Sequence, residues 1–395
     1  MPQYIGGKPS IQIGDVFGQR SQSRTVFPLN HKQCYFFFSA RYALAWGVQA
    51  LGIERGDAVL IPAYNCGVEI DPILHLGIKP VFYNIGTDCR INFDDLLSKI
   101  TNGVKAILVT HFFGFPQFID RIKKICGKKN LYLIEDCAHS FLSTYKKKPL
   151  GSYGDVGVFS LLKTLPVPNG GVLVINNKNI IRHHLPQKPN LFATFYYASE
   201  LLRYRTTRHG NSIKENSLSI LSKGVYLSLS FMRLILAGYR KYLNPGGLYL
   251  IKPDSYLFVK ELCSWGISGL SRSIIDRTDF ENIRITRRKN FEFLLSHFLK
   301  NNRGILPFNS LPDGICPLFF PLVVESPEMR ERIYTTLKRK GIISYPWWER
   351  FHPSVPWGDF PDAVHLKQRL FGLPIHQNLT LDHLNYVLRE FENAF

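Results

Sequence analysis

The stretch GVFSLLKTLPVPNGGVLVIN, residues 157–176, decides the fold prediction. Two apolar runs, residues 156–160 and 172–176, are typical of buried strands, and the second follows a Gly-Gly pair. The loop between them holds one lysine, Lys163. Because a loop lysine is usually a solvated surface residue, a functional role for Lys163 depends on which other residues lie beside it.

The surrounding chain alternates strands with helices. From residue 34 to 177, short runs rich in Val, Ile and Leu are separated by segments with apolar residues at every third or fourth position. This alternation predicts an α/β fold with a mostly parallel sheet, covered on both faces. The other strands are expected at residues 58–61, 81–85, 106–110 and 131–135, and the helices near 40–52, 67–76, 92–100 and 117–127.

A length of 395 residues predicts two domains. We expect a large α/β domain at residues 1–275, with a basic, apolar helical insertion at about 195–262. A smaller α+β domain is expected at residues 276–395, where Thr380 is the predicted N-cap of the closing helix.

The net charge of +19 favours anionic partners, although excess charge also serves solubility. Nucleic acid is not expected, because zinc-finger spacing, an RNP-like aromatic string and a dense basic arm are all missing from the sequence. Residues 201–253 carry nine Lys or Arg against one acid, Glu215. Their apolar segment 224–239 is compatible with a helix on an anionic membrane surface, or with a buried or dimer-interface helix.

The cysteines and the N-terminal residues predict a cytoplasmic protein. The first fifteen residues contain no basic region followed by an apolar stretch, so we expect no secretory signal. The seven cysteines are scattered and never form CxxC, which favours free thiols in a reducing compartment and predicts no metal site.

Polar residues that follow the predicted strands are the candidates for chemistry, because ligands of such sheets collect at the carboxyl ends of strands. Asp136 ends one strand, and His139 follows it. Ser39 is a plausible N-cap that leaves the next three amides free for an anion. The residues after two more strands are Tyr64, Asn65, His111 and Phe112.

Together these residues match the needs of pyridoxal phosphate. Lys163 supplies an amine that can form an imine with an aldehyde, and Asp136 supplies a carboxylate that keeps a pyridine nitrogen protonated. The helix that starts after Ser39 supplies amides for a phosphate. Each residue alone has an ordinary structural explanation, since an Asp after a strand usually caps a helix.

Several motifs resemble the DegT/DnrJ/StrS family of PLP-dependent sugar aminotransferases. They are SARYALAWGVQALGIERGDAVLIPAYNCGVEI, IEDCAHS, GSYGDVGVFSLLKTLPVPNGGVLVIN and FGLPIHQNLT, and the resemblance covers about residues 34–177 and 265–395. It implies the aspartate aminotransferase-like fold (fold type I): a large three-layer α/β/α domain and a smaller α+β domain. It also implies a homodimer with its sites near the subunit interface.

Carried over onto this sequence, the resemblance implies a role for each matching position. Lys163 would be the Schiff-base lysine and Asp136 the partner of the pyridinium nitrogen. His139 stands where the family commonly has a glutamine near the ring hydroxyl, although it could instead cap a following helix. The phosphate would be held by Ser160 and by the amides of Ala40 and Arg41, next to Ser39.

The sequence departs from the family at three places. Ser160 and Lys163 are three residues apart, which is a shorter spacing than the family usually has. Cys66 stands where an aromatic residue commonly stacks on the ring, so we expect Tyr64 or His111 to cover that face. An Asn-Tyr-Arg stretch that reaches the neighbouring subunit's site in relatives aligns with residues 264–266, here Ser-Trp-Gly.

The sequence therefore predicts an aminotransferase that moves an amino group from an amino acid, glutamate by preference, to a nucleotide-linked keto-sugar in polysaccharide or glycoconjugate biosynthesis. Two alternatives stay open. One is a non-catalytic or regulatory PLP-binding homologue in the same pathway. The other is a PLP-dependent sugar dehydratase, against which the lysine at position 163 counts, because relatives specialised for that reaction have a histidine there.

Overall fold

The computed structural model describes residues 4–19, 26–180, 258–301 and 304–395. The strands are β1 (Cys34–Phe37), β2 (Ala58–Pro62), β3 (Lys79–Tyr83), β4 (Val104–Thr110), β5 (Tyr132–Asp136), β6 (Thr144–Tyr145), β7 (Lys148–Pro149), β8 (Val156–Ser160), β9 (Gly171–Ile175), β10 (Phe320–Val323), β11 (Tyr345–Pro346) and β12 (Leu370–Leu373). The helices are α1 (Ile13–Phe17), α2 (Ala40–Ala50), α3 (Ile70–His75), α4 (Phe93–Ser98), α5 (Ile119–Lys129), α6 (Gly269–Arg277), α7 (Phe280–Asn301), α8 (Pro327–Arg339), α9 (Pro361–Arg369) and α10 (Leu381–Glu392).

The central sheet has seven strands in the order β1-β9-β8-β5-β4-β2-β3. Strands β3, β2, β4, β5 and β8 pair in parallel, whereas β9 is antiparallel to both of its neighbours, β8 and β1. Every residue of β2, β8 and β9 is buried, so both faces of the sheet are covered. The predicted mostly parallel, three-layer arrangement is confirmed.

The predicted elements of this region agree closely with the structure. The strand predicted at residues 156–160 has the same limits as β8, and the one predicted at 81–85 begins and ends two residues earlier, as β3. Strand β1 was not predicted: its four residues are one short edge run that pairs with β9 and carries no alternation of its own.

A second sheet, in the order β10-β12-β11, packs with α7, α8 and α10 in the C-terminal part of the chain. Its core is aromatic: the ring of Phe298 lies 5.1 Å from the rings of both Phe320 and Phe391. Thr380 caps α10 as predicted, because its hydroxyl accepts the amide of His383. The division of the chain at residue 275 stays a prediction.

The basic insertion lies almost entirely outside the described residues, as does the whole of the segment 201–253. Among the residues that the structure describes, no helix is both long and apolar enough to cross a membrane.

A glycine contact joins the end of the sheet to the first helix of the site. A Cβ atom built on Gly171, the first residue of β9, would lie 2.2 Å from the carbonyl carbon of Ser39 and 2.6 Å from the amide nitrogen of Ala40. Both are backbone atoms that cannot rotate away. Glycine at position 171 therefore lets β9 lie directly against the start of α2.

We expect Gly171→Ala to lower the free energy of unfolding by about 1–3 kcal/mol, because α2 must move away from the sheet. Gly127→Ala is the matched control. A Cβ there meets no atom within 4 Å in the described part of the chain, and Gly127 lies in α5. This change should stabilise by about 0.5–1 kcal/mol. Urea unfolding measures both, and equal effects of the two changes would contradict the assignment.

Candidate active site

Strand β5 divides its last two side chains between the two faces of the sheet, as a strand must. The buried carboxylate of Glu135 accepts the amides of the loop that leads into β8, and its Oε2 lies 3.1 Å from Nε2 of His111. Asp136 consequently points to the opposite face. The three amides held by Glu135, at 2.8, 2.6 and 2.6 Å, are those of Gly151, Tyr153 and Gly154.

Asp136 carries a carboxyl group in a dry, partly satisfied environment. Its Oδ1 accepts the amide of Ala138 at 2.9 Å, and its Oδ2 accepts the hydroxyl of Thr110 at 3.3 Å. Burial, and then the negative charge of Glu69, raise the pKa of Asp136 to about 6, while the charge of Lys163 acts in the opposite direction. A further positive charge beside this carboxyl group would stabilise its ionised form.

Lys163 lies on the same side of the sheet as Asp136. It ends the short 3-10 helix Leu161–Lys163 that follows β8, and its Nζ lies 5.9 Å from the centroid of the Trp347 ring. Its charge lowers the pKa of three neighbours, namely Cys66, Asp136 and His139. The amine and the carboxylate that the sequence predicted to act together are therefore close in space.

His139 is a neutral hydrogen-bond donor in this site. Burial, and then the charge of Lys163, lower the pKa of His139 well below its usual value. Nδ1 accepts the amide of Phe113 at 3.3 Å, so the single ring proton lies on Nε2. Nε2 is buried, and the described residues offer it no hydrogen-bond partner. The alternative of a helix cap is wrong, because residues 140–143 are turn and loop.

The start of α2 forms the phosphate-sized end of the site. Ser39 is at the N-cap position as predicted, yet its side chain makes no capping bond, and its buried Oγ has no partner in the described structure. The backbone of Ala40 and Arg41 follows. The prediction of a third free amide is wrong, since the amide of Tyr42 donates to the carbonyl oxygen of Ser39 at 3.2 Å. Ser160 is the buried last residue of β8.

Tyr64 and Cys66 line the opposite wall. The hydroxyl of Tyr64 donates to the carbonyl oxygen of Trp347 at 3.0 Å. The thiol of Cys66 lies 2.9 Å from Oε2 of Glu69, and burial raises its pKa, so it remains a neutral donor. The sequence analysis did not identify Glu69, since nothing in the pattern separates it from an ordinary helix N-terminal acid.

His111 does not cover this wall. Its Nε2 lies beside Glu135, and its Nδ1 accepts the amide of Gln117 at 3.1 Å. Glu135, His111 and Cys137 bring ligand-type atoms within 4.8 Å of one another. Glu135 is already satisfied by amides and burial raises the pKa of the Cys137 thiol, so both side chains belong to the buried framework of the sheet.

Two tryptophans that the sequence analysis missed cover the site. The ring of Trp347 lies 5.1 Å from that of His139, and the ring of Trp348 lies 5.2 Å from His139 and 4.9 Å from Tyr64. They follow directly after β11, more than 180 residues beyond Lys163 in sequence. The only local signal was the unusual Trp-Trp pair itself.

A buried lysine holds this aromatic cover against the sheet. Nζ of Lys367, on α9, donates to the carbonyl oxygens of Asn65, Trp348 and Arg350 at 2.8, 3.0 and 2.7 Å. Burial lowers the pKa of Lys367 to about 8. One ammonium group thus joins the loop after β2 to the segment after β11.

The donor set fits pyridoxal phosphate. An amine and a carboxyl group lie on one face, and the unpartnered Nε2–H of His139 and hydroxyl of Ser39 are buried polar groups that a ligand would satisfy. Trp348 and Tyr64 supply flat apolar surface.

Residues 29–188 match the model of the DegT/DnrJ/EryC1/StrS aminotransferase family. This match covers about two fifths of the chain and shows that these residues are similar in sequence to the family.

Curated relatives extend that result. GDP-perosamine synthase of Escherichia coli O157:H7 is 36% identical over 141 residues, which are 35% of this chain and 39% of that protein. The dTDP-4-dehydro-2,3,6-trideoxy-D-glucose 4-aminotransferase of Saccharopolyspora spinosa is 25% identical over 373 residues, 92% of this chain and 84% of that protein. The match to the first of these relatives thus spans about two fifths of its length.

Solved aminotransferases share the fold. Spr1654 from Streptococcus pneumoniae, described as a sugar aminotransferase and solved in its PLP form, superposes with a TM-score of 0.62 at 18% identity, over 91% of this chain and 86% of its own. Helicobacter pylori PseC, an aminotransferase involved in the biosynthesis of pseudoaminic acid, gives a TM-score of 0.61 at 16% identity, over 92% and 86%. The predicted aspartate aminotransferase-like fold is confirmed.

We expect Lys367→Met to lower the free energy of unfolding by about 3 kcal/mol or more, because three buried carbonyl groups lose their donor at nearly constant side-chain volume. The emission of Trp348 should also shift to the red as its segment loosens. Lys105→Met is the control, since Lys105 is half exposed and its nearest acid, Asp57, is 4.0 Å away. That change should stay within about 0.5 kcal/mol. Equal losses in both variants would refute the role of Lys367.

Proposed function

We propose that the protein is a PLP-dependent aminotransferase that transfers an amino group from an amino acid, glutamate by preference, to the keto group of a nucleotide-linked sugar. The observation that supports this proposal is that Lys163 and His139 both lie beside the ring of Trp347, at 5.9 and 5.1 Å, close to the end of β5 where Asp136 stands. The names of the relatives support the substrate class, because they act on GDP- and dTDP-linked sugars. The pathway would be polysaccharide or glycoconjugate biosynthesis.

In this proposal the residues of the site divide the cofactor among them. Lys163 anchors the aldehyde carbon and Asp136 pairs with the ring nitrogen. Nε2–H of His139 donates to the ring oxygen, which explains why that buried donor finds no protein partner. The hydroxyls of Ser39 and Ser160 and the backbone of Ala40 and Arg41 bind the phosphate. Tyr64 and Cys66 lie along the ring.

The bound cofactor supplies an electron sink that stabilises negative charge on the donor carbon. The proton that leaves this carbon goes to Nζ of Lys163, which acts as general base and afterwards returns a proton as general acid. The ring of Trp347, 5.9 Å from Nζ, provides a flat face beside this amine. Asp136 stays ionised throughout because it faces a positive ring nitrogen.

We also infer a homodimer located in the cytoplasm. The family resemblance supports the dimer, with its sites near the subunit interface, and the positive net charge supports a diphosphate-bearing substrate over a neutral one. Peripheral contact of residues 201–253 with the inner membrane face is the remaining part of this proposal. Its support is the charge of that segment alone, and co-sedimentation with anionic vesicles tests it.

Lys163→Ala should abolish the imine absorbance that wild type acquires with PLP and should lower amino transfer by at least about 10³-fold, because both anchor and proton carrier are lost. Absorbance spectra and amine formation on GDP- and dTDP-linked 4-keto-sugars measure the two effects. A wild-type band that glutamate and every other amino acid leave unbleached would favour the non-catalytic homologue. Loss of a sugar hydroxyl without gain of an amine would favour the dehydratase.

The affinity for pyridoxamine phosphate, which binds without an imine, should fall as the pH drops through about 6. Below that pH the Asp136 carboxyl group takes up a proton, and its ion pair with the ring nitrogen is lost. The affinity should then fall by up to about tenfold for each pH unit. Fluorescence titration of wild type and Asp136→Asn measures this. Because the ligand phosphate titrates with both proteins, the difference between them isolates Asp136, and parallel pH profiles would contradict its assigned role.

A further inference from the structure

Asn169 has a buried side-chain amide whose oxygen accepts hydrogen bonds and whose NH₂ group makes none in the described part of the chain. It lies in the loop between β8 and β9 and is 1% exposed. Its Oδ1 accepts the amide of Ser268 at 3.0 Å and the hydroxyl of Ser271 at 2.7 Å. Because a backbone amide can only donate, these contacts identify the oxygen, and the other atom is the NH₂ group.

That NH₂ group has no hydrogen-bond partner among the described residues. A buried donor without a partner costs about 1–3 kcal/mol, so such a group calls for an acceptor that binds there. The two bonds to Ser268 and Ser271, at the start of α6, hold the amide in one orientation. The donor is therefore fixed in place before any ligand arrives.

The position of Asn169 indicates which ligand. The amide of Gly170, its neighbour, donates to the carbonyl oxygen of Phe38 at 3.1 Å, and Gly171 lies directly against the backbone of Ser39 and Ala40. Residues 169–171 thus run along the start of α2. Ser39 Oγ, the other buried unpartnered group of this corner, belongs to the same helix N-terminus.

We propose that Nδ2 of Asn169 is a ligand of the cofactor phosphate, alongside the start of α2 and Ser39. This inference rests on the proposed function. A phosphate dianion offers three acceptor oxygens, and the partial positive charge of a helix N-terminus favours it at this corner. Two neutral donors that find no acceptor among the described residues, close to the start of an eleven-residue helix, match that ligand.

Asn169→Asp is the sharpest variant. Aspartate keeps the shape of the side chain and both bonds accepted from Ser268 and Ser271, and it replaces only the NH₂ group by a carboxylate oxygen. A second acceptor with negative charge would repel a phosphate. Asn102→Asp, at an exposed turn, changes the net charge equally and serves as the control.

The test compares PLP with pyridoxal, which has the same ring and aldehyde and no phosphate. Imine absorbance gives both dissociation constants for wild type, Asn169→Asp and Asn102→Asp. We expect Asn169→Asp to raise the dissociation constant of PLP at least tenfold and to leave that of pyridoxal within twofold of wild type. Asn102→Asp should change neither constant. If Asn169→Asp does not fold, Asn169→Ser, which keeps an acceptor for Ser268 and lacks Nδ2, takes its place with the same expected selectivity.

The outcomes separate this inference from the proposal beneath it. Equal weakening of PLP and pyridoxal would mean that Asn169 only supports the loop, and an unchanged affinity for PLP would mean that Nδ2 faces no phosphate; either overturns the inference and leaves the aminotransferase intact. A wild-type protein that forms no imine with PLP or with pyridoxal would overturn both.

Discussion

The site depends on one electrostatic contact, between the ammonium group of Lys163 and the carboxyl group of Asp136. Burial disfavours the ionised form of Asp136, and the positive charge of Lys163 favours it. Burial still dominates at Asp136, whose pKa is raised to about 6 in spite of the lysine. The free protein therefore holds a carboxyl group that gains stability when a further cation arrives.

Strand β5 places its two adjacent acids on opposite faces of the sheet, so that one holds the fold and the other belongs to the site. Glu135 faces one side, where its side chain accepts three loop amides and so fixes the path of the chain into β8. Asp136 faces the other side and has fewer partners. Strand β8 leads directly to Lys163. Glu135 therefore helps to position the amine whose positive charge acts on Asp136.

The sequence predicted local elements, namely strands and the loops between them. It did not predict contacts between residues that are far apart in the chain. Continuous apolar runs and one Gly-Gly pair identified β8, β9 and the Lys163 loop, which the structure pairs as neighbouring strands joined by that loop. Lys367, in contrast, reaches the carbonyl of Asn65 across 302 residues, and no spacing rule connects them. His111 was one of two candidates to cover the cofactor ring, and its contact with Glu135, which loop amides hold, is likewise formed only by folding.

The same distinction explains the aromatic wall. At the position where the resemblance predicts an aromatic residue, this chain has Cys66, whose thiol lies 2.9 Å from Oε2 of Glu69 and adds no ring surface. The missing surface comes from Trp348, in the C-terminal part of the chain. Its ring lies 4.9 Å from the ring of Tyr64. A wall built from a distant segment needs its own anchor, and Lys367 binds the carbonyl of Trp348 and that of Asn65 through one ammonium group. The position of α9 therefore fixes this wall, because Lys367 joins the segment that carries Trp348 to the loop that carries Tyr64.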